Sequence, residues 1–201
     1  MCIRDRIKAA RICRTVIESD RRFTYEEAQE RIETGQGDFT EEILTLDRLA
    51  KKLRAKRFEN GSVDFDREEV RFDIDEEGHP VGVYFKESKD ANKLIEEFML
   101  LANLSVAEHI GKVAKGRRAK SFVYRVHDTP DPEKLSNLAS IAARFGHRVK
   151  PDGTAGEVNR SLNKLLKDVK GRGEENMLSI LAIRSMAKAV YTTENLSLIH
   201  I

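Results

Sequence analysis

From Ile7 to Glu18, IKAARICRTVIE alternates β-branched and charged residues in a rough period of two, which predicts a strand. Thr24-Tyr25-Glu26-Glu27 has the spacing of a capping box and predicts a helix that stops near Gly35. Asp38 with Glu41 repeats that signal for a longer helix, through LTLDRLAKKLRAKRF, ending around Asn60-Gly61. Three β-like runs follow, SVDF, EVRFDI and VGVYFK, with Asp75-Glu76-Glu77-Gly78 as a hairpin turn between the last two. Ser88 is placed to cap a central helix that runs towards Val113. Ser121 to His127 predicts another strand, leading into a helix with Asp131 as N-cap, Pro132 at its first position and Gly146 at its end. Two further helices are predicted, Glu157 to Lys170 and Glu174 to Tyr191, parted by Gly171-Arg172-Gly173. Helices, a small group of strands, then mostly helices: the order is that of an α+β fold and not of a regular βαβ alternation.

The central helix is the unusual element. Its run Lys93 to Asn103, KLIEEFMLLAN, is apolar almost all round, and a helix of that kind is normally buried. Yet it carries Glu96, Glu97 and Asn103, and buried carboxylates are costly unless paired, protonated or used. Asn92, Glu96 and Asn103 fall within roughly 40° of one another around the axis, a narrow polar stripe. The stripe is either a set of rim residues bonded to backbone and water, or a surface that faces a substrate.

Composition adds limits. The chain has 201 residues, enough for a full core, with 36 basic against 34 acidic residues and a net charge of +2. Bulk charge therefore neither requires nor excludes a nucleic-acid partner. No run approaches the ~18 apolar residues of a membrane span, and no signal-peptide pattern is present. Cys2 and Cys13 are too few for a disulfide framework, so a reducing, cytoplasmic setting is expected. No phosphate-binding Gly loop, HExxH, CxxC or nucleophile elbow occurs, and the histidines are scattered.

Charge is clustered locally. Lys112 to Arg125, KVAKGRRAKSFVYR, has six basic residues and no acidic one, fit for phosphate contact or for a solvated loop. Arg160, Lys164 and Lys167 stand at i, i+4 and i+7 and share one helix face, which is either an RNA-facing surface or simply wet. Phe65, in GSVDFD, is a core aromatic or a stacking platform for an unpaired base, worth roughly 1–3 kcal/mol per stack. His127-Asp128, just before a helix N-terminus, suits an anion or an ordinary turn.

Six blocks occur in order: FTYEEAQERIETG, EEILTLDRLAKKLRAKR, NKLIEEFMLLANLSVAEHIG, FVYRVHDTPDPEKL, SLNKLLKDVKGR and LAIRSMAKAVYTTEN. Together they resemble the RNB catalytic domain of the ribonuclease R and ribonuclease II family, over about residues 7–195. The resemblance implies a partial RNB domain, a small mixed β-sheet surrounded by several α-helices. It implies a parent that hydrolyses single-stranded RNA processively from the 3′ end to nucleoside 5′-monophosphates, by two-metal chemistry with Mg²⁺. The family's metal-binding aspartates, in an RDxDDA-type motif, and its TSPIRRY arginines are expected upstream of residue 7 and downstream of Asn195. No catalytic or metal-binding residue is therefore assigned here, and the 201 residues alone are expected to be inactive. The resemblance assigns Phe65 to stacking on the 3′-terminal bases and Glu96 to the terminal nucleotide, with Glu97 as its substitute if the register slips by one. MCIRDR, residues 1–6, and LSLIHI, residues 196–201, depart from the family and are expected to be non-native flanks that a clean genomic read would not contain. The parent is expected to act as a monomer. The alternatives are a non-catalytic RNA-binding protein derived from the RNB domain, and a helical interaction module with no RNA role.

Overall fold

The computed structural model describes residues 9–65, 69–111 and 120–193, Glu69 by its backbone alone. Within them lie six helices and four strands: α1 (Tyr25–Thr34), α2 (Thr40–Glu59), β1 (Glu69–Ile74), β2 (Pro80–Lys86), α3 (Asp90–Gly111), β3 (Tyr124–Val126), α4 (Pro132–Arg144), α5 (Ala155–Val169), α6 (Glu175–Ser185) and β4 (Val190–Thr192). The fold is α+β. Its strands form two separate antiparallel pairs, β1–β2 and β3–β4.

Local chemistry sets most helix ends. Thr24 and Glu27 close a reciprocal capping box at α1. Asp131 accepts from the N–H groups of Glu133 and Lys134 at the start of α4, with Pro132 at the first position. Two predicted caps are replaced. Asp38 turns away from α2 to take the Arg31 and Arg21 guanidinium groups, and α2 starts instead from Phe39 at φ 55°. Ser88 is not the cap of α3: Asn92 accepts from the Lys89 N–H, and the buried Gln29 of α1 accepts from the Ala91 N–H at 2.9 Å.

The core lies between α4, α5 and α6. Leu135, Leu138 and Ala142 on α4, Val158, Leu162, Leu165 and Val169 on α5, and Leu178 and Ala182 on α6 recur every three or four residues and are all buried. α6 is shorter than predicted. The Ser185 hydroxyl turns back to the Ala182 carbonyl at 2.7 Å, and Met186 is extended. The chain then supplies β4, whose Val190 pairs with Val126 of β3.

α1 lies against α2 and α3, which pack on each other. The deep burial expected for α3 is realised on one face only: Ala91, Leu94, Glu97 and Ala107 are buried, while Ile95 and Met99 are exposed. Only α1 and α2 pack substantially on α3 among the described helices and strands, so its second apolar stripe has no cover among the described residues. The β1–β2 hairpin turns at Asp75–Gly78, where the Asp75 carboxylate accepts from the Glu77 and His79 N–H groups. Its register puts Val70 beside Phe85 and Phe72 beside Val83, so one face is apolar and exposed.

The strand predicted over Ile7–Glu18 does not form in the described part, residues 9–18. Val16 and Ile17 are exposed, and no described strand pairs with them; alternation gives local propensity, whereas a strand exists only in a ladder. SVDF is likewise not a strand. Both expected flanks, residues 1–6 and 196–201, lie outside the described residues.

Candidate RNA-contacting site

The site begins with the phase of α3. Neighbouring helical residues point about 100° apart, so Glu96 and Glu97 cannot face the same way. Glu97 turns inward and is 3% exposed; the Glu96 side chain is 47% exposed. Two arginines of α2, three residues apart and hence on one face, meet them. Arg57 grips Glu97 through Nε at 3.2 Å and Nη2 at 2.5 Å, and its Nη2 also reaches Glu96 at 3.0 Å. Arg54 adds a contact to Glu97 at 3.4 Å and approaches Glu96 at 3.8 Å. Burial would lower the pKa of Arg57, but hydrogen bonding and the charge of Glu97 outweigh it and the net shift is upward. Both guanidinium groups lie over the Phe58 ring, 4.9 and 5.1 Å from its centre. Glu97 is thus buried within the arginine cluster, whereas Glu96 is bonded to Arg57 and remains about half exposed.

Arg54 also joins this cluster to the Phe65 segment, since its Nη2 donates to both Asp64 oxygens at 3.1 Å. Val63 and Phe65, two residues apart, pack against the α4–α6 core. Phe65 is half-buried, so it has the anchoring of a core aromatic and an uncovered portion as well. Gly61, at φ 97°, lets the chain leave α2 close to α5, where an added Cβ would lie 4.0 Å from the Gly156 Cα.

Arg160, Lys164 and Lys167 are all exposed, on the side of α5 opposite its buried row. Asn159 and Asn163, on the flank between, bond to the backbone of residues 61–64. Phe65, Glu96 and the basic row are therefore linked through two connectors, Arg54 and the α5 asparagines. Sequence reasoning missed Arg54, Arg57, Asp64 and Asn163. The three-residue spacing of the two arginines was legible, but their shared partner Glu97 lies 43 and 40 residues away.

Other candidates separate. Lys120 and Arg125 of the basic run are exposed, and residues 112–119 lie outside the described residues. His127 Nδ1 lies 3.4 Å from the Ala187 carbonyl oxygen, and Asp131 already fills the N-terminus of α4. This is the arrangement of an ordinary turn. A groove of about 370 Å³ between α1 and β2 is lined by Glu26, Glu30, Glu33 and Glu87 against Lys86 and Lys89, a net acidic lining that disfavours phosphate. Among the described residues no group of three or more His, Cys, Asp or Glu side chains is placed to hold a metal ion.

The sequence matches the family model for the RNB domain over residues 2–201. It is 35% identical over 195 residues to ribonuclease R of Aquifex aeolicus, covering 94% of this chain and 27% of that protein. It is 35% identical over 188 residues to the exosome complex exonuclease RRP44 of Homo sapiens, covering 92% of this chain and 19% of the relative. In structure it resembles Mycoplasma genitalium RNase R in complex with ribose-methylated single-stranded RNA, with a TM-score of 0.70 at 21% identity. That alignment covers 87% of this chain and 27% of the other. The chain thus spans about a quarter or less of the length of these proteins.

Proposed function

The chain belongs to the RNB domain family, and from that premise we propose that it is part of the catalytic domain of a 3′-to-5′ exoribonuclease. The substrate of the longer protein is single-stranded RNA and its products are nucleoside 5′-monophosphates. Arg54 carries this reading. It bonds Asp64, the neighbour of Phe65, at one end and meets the Glu96–Glu97 pair at the other, which supports a reading in which Phe65 and Glu96 serve one terminal nucleotide. The half-buried Phe65 has a fixed edge and an open portion, as a base platform needs. Arg160, Lys164 and Lys167 supply exposed positive charge on the adjoining helix for the phosphate backbone. Mg²⁺ bound by the longer protein would supply the activated water and the stabilisation of the leaving oxygen that two-metal hydrolysis requires. Because the resemblance puts the family's metal-binding aspartates and its arginine motif outside residues 7–195, we assign this chain to substrate holding and not to the hydrolytic step. A monomeric parent in the cytoplasm completes the proposal.

The test uses the 201-residue chain and an RNA with an unpaired 3′ tail. Affinity should fall steadily as salt rises, and Phe65→Ala should weaken binding about tenfold, the scale of one base stack. With Mg²⁺ added, no monophosphate should appear. Release of monophosphates would overturn the assignment to substrate holding. Binding indifferent to salt and to Phe65 would favour a helical interaction module.

A further inference from the structure

Asn163 makes two hydrogen bonds to a segment about a hundred residues away. Its Nδ2 donates to the Ser62 carbonyl at 2.8 Å, while its Oδ1 accepts from the Asp64 N–H at 3.0 Å. One side-chain amide thus takes the C=O before Val63 and the N–H after it. A residue of a neighbouring parallel strand makes this same pair of bonds to the chain beside it. Asn159, one turn earlier, adds a bond from Nδ2 to the Gly61 carbonyl at 2.7 Å. SVDF has the composition of a strand; its Ser62 N–H returns to the Arg57 carbonyl at 3.2 Å, but among the described residues no strand pairs with it, and the bonds to Ser62 C=O and Asp64 N–H come from a side chain. With the backbone held by α5, Val63 points to the α4–α6 core together with Phe65, and Asp64 meets Arg54.

We infer that Asn163 is a positioning residue for Phe65, its side-chain amide standing in for a missing strand and setting where the ring meets the 3′-terminal base. The inference rests on the RNA-binding reading above, and it adds a residue that touches no RNA. Asn163→Ala removes no charge, so the number of phosphates neutralised is unchanged and the slope of log affinity against log salt stays as it was. The affinity itself falls, by roughly fivefold, because the ring loses its fixed position. Lys164→Ala does the opposite kind of damage and flattens the slope.

Two measurements decide the matter in the full 201-residue chain. In a double-mutant cycle, Asn163→Ala should weaken binding of 3′-tailed RNA in the Phe65 background and have no further effect in the Phe65→Ala background. Additive losses, or an altered salt slope in Asn163→Ala, would overturn the inference. Independently of RNA, hydrogen exchange at the Asp64 amide should speed up in Asn163→Ala while the amides of α4 and α6 keep their protection. Unchanged exchange at Asp64 would also overturn it. Failure of the unsubstituted chain to bind RNA would instead remove the functional reading, and the exchange result would still decide whether Asn163 holds the segment.

Discussion

α4–α6 and α1–α3 are both packs of three helices, closed by different forces. Between α4, α5 and α6 the contact is apolar, with Leu138, Leu162, Leu165 and Leu178 at most 1% exposed. In α1–α3 the buried set includes Gln29, Asp47 and Glu97 beside a few small and aliphatic residues. Asp47 is met by Lys51, which also reaches Asp90 of α3 and whose pKa is raised by those two carboxylates. Apolar packing excludes water without fixing partners. A buried ion cluster adds little net stability but accepts only one arrangement of its members. The first pack serves as a platform, and the second fixes the direction of Glu96.

The largest effect that tests this contrast is a cavity in the platform. Leu162→Ala should cost about 3–4 kcal/mol in urea unfolding, because Leu162 is wholly buried and its neighbours are large. A cost below about 1 kcal/mol would mean that α4–α6 collapses around the hole and is not close-packed. A smaller effect is expected in the charged pack. Arg57→Ala leaves Glu97 with Arg54 alone and should cost about 2 kcal/mol, whereas replacing Arg57 and Glu97 together by leucine should recover most of it. Recovery would sharpen the contrast, since the pair would then specify geometry and not stability. Two additive losses would break it.

The smallest effect concerns pH. The Glu174 carboxylate is held below the usual carboxylate range by its hydrogen bond with His147, helped by a backbone bond. A depressed folded-state pKa stabilises the fold above the ordinary carboxylate range, and that contribution is lost as pH falls through the lowered value. Unfolding of Glu174→Gln should therefore depend less on pH in the acid range than unfolding of the unsubstituted chain. Superimposable acid limbs would show that this contact, on the rim of the platform, contributes nothing to it.

Legibility in the sequence followed the range of each interaction. The caps of α1 and α4 and the row Val158–Leu162–Leu165–Val169 are local, and they were readable. Residues 9–18 and SVDF were misread as strands because pairing depends on a distant partner, absent from the described residues in one case and replaced by an amide in the other. The choice between Glu96 and Glu97 needed the position of α2, since two adjacent carboxylates differ only in where their neighbours stand. Ser88 lost its cap role to Gln29, a residue 62 positions from the N–H that it serves.

The bond between Asp64 and Asn163 spans 99 residues. A ribosome adding roughly 5–20 residues per second needs on the order of 5–20 s to cross that interval. α1 and α2 precede that interval and α3 is made within it, while residues 61–65 still lack the completed amide clamp and α4–α6 surface on which Val63 and Phe65 rest. Residues 61–65 therefore take their final place only after α5 has been made, about a hundred residues after they themselves are synthesised.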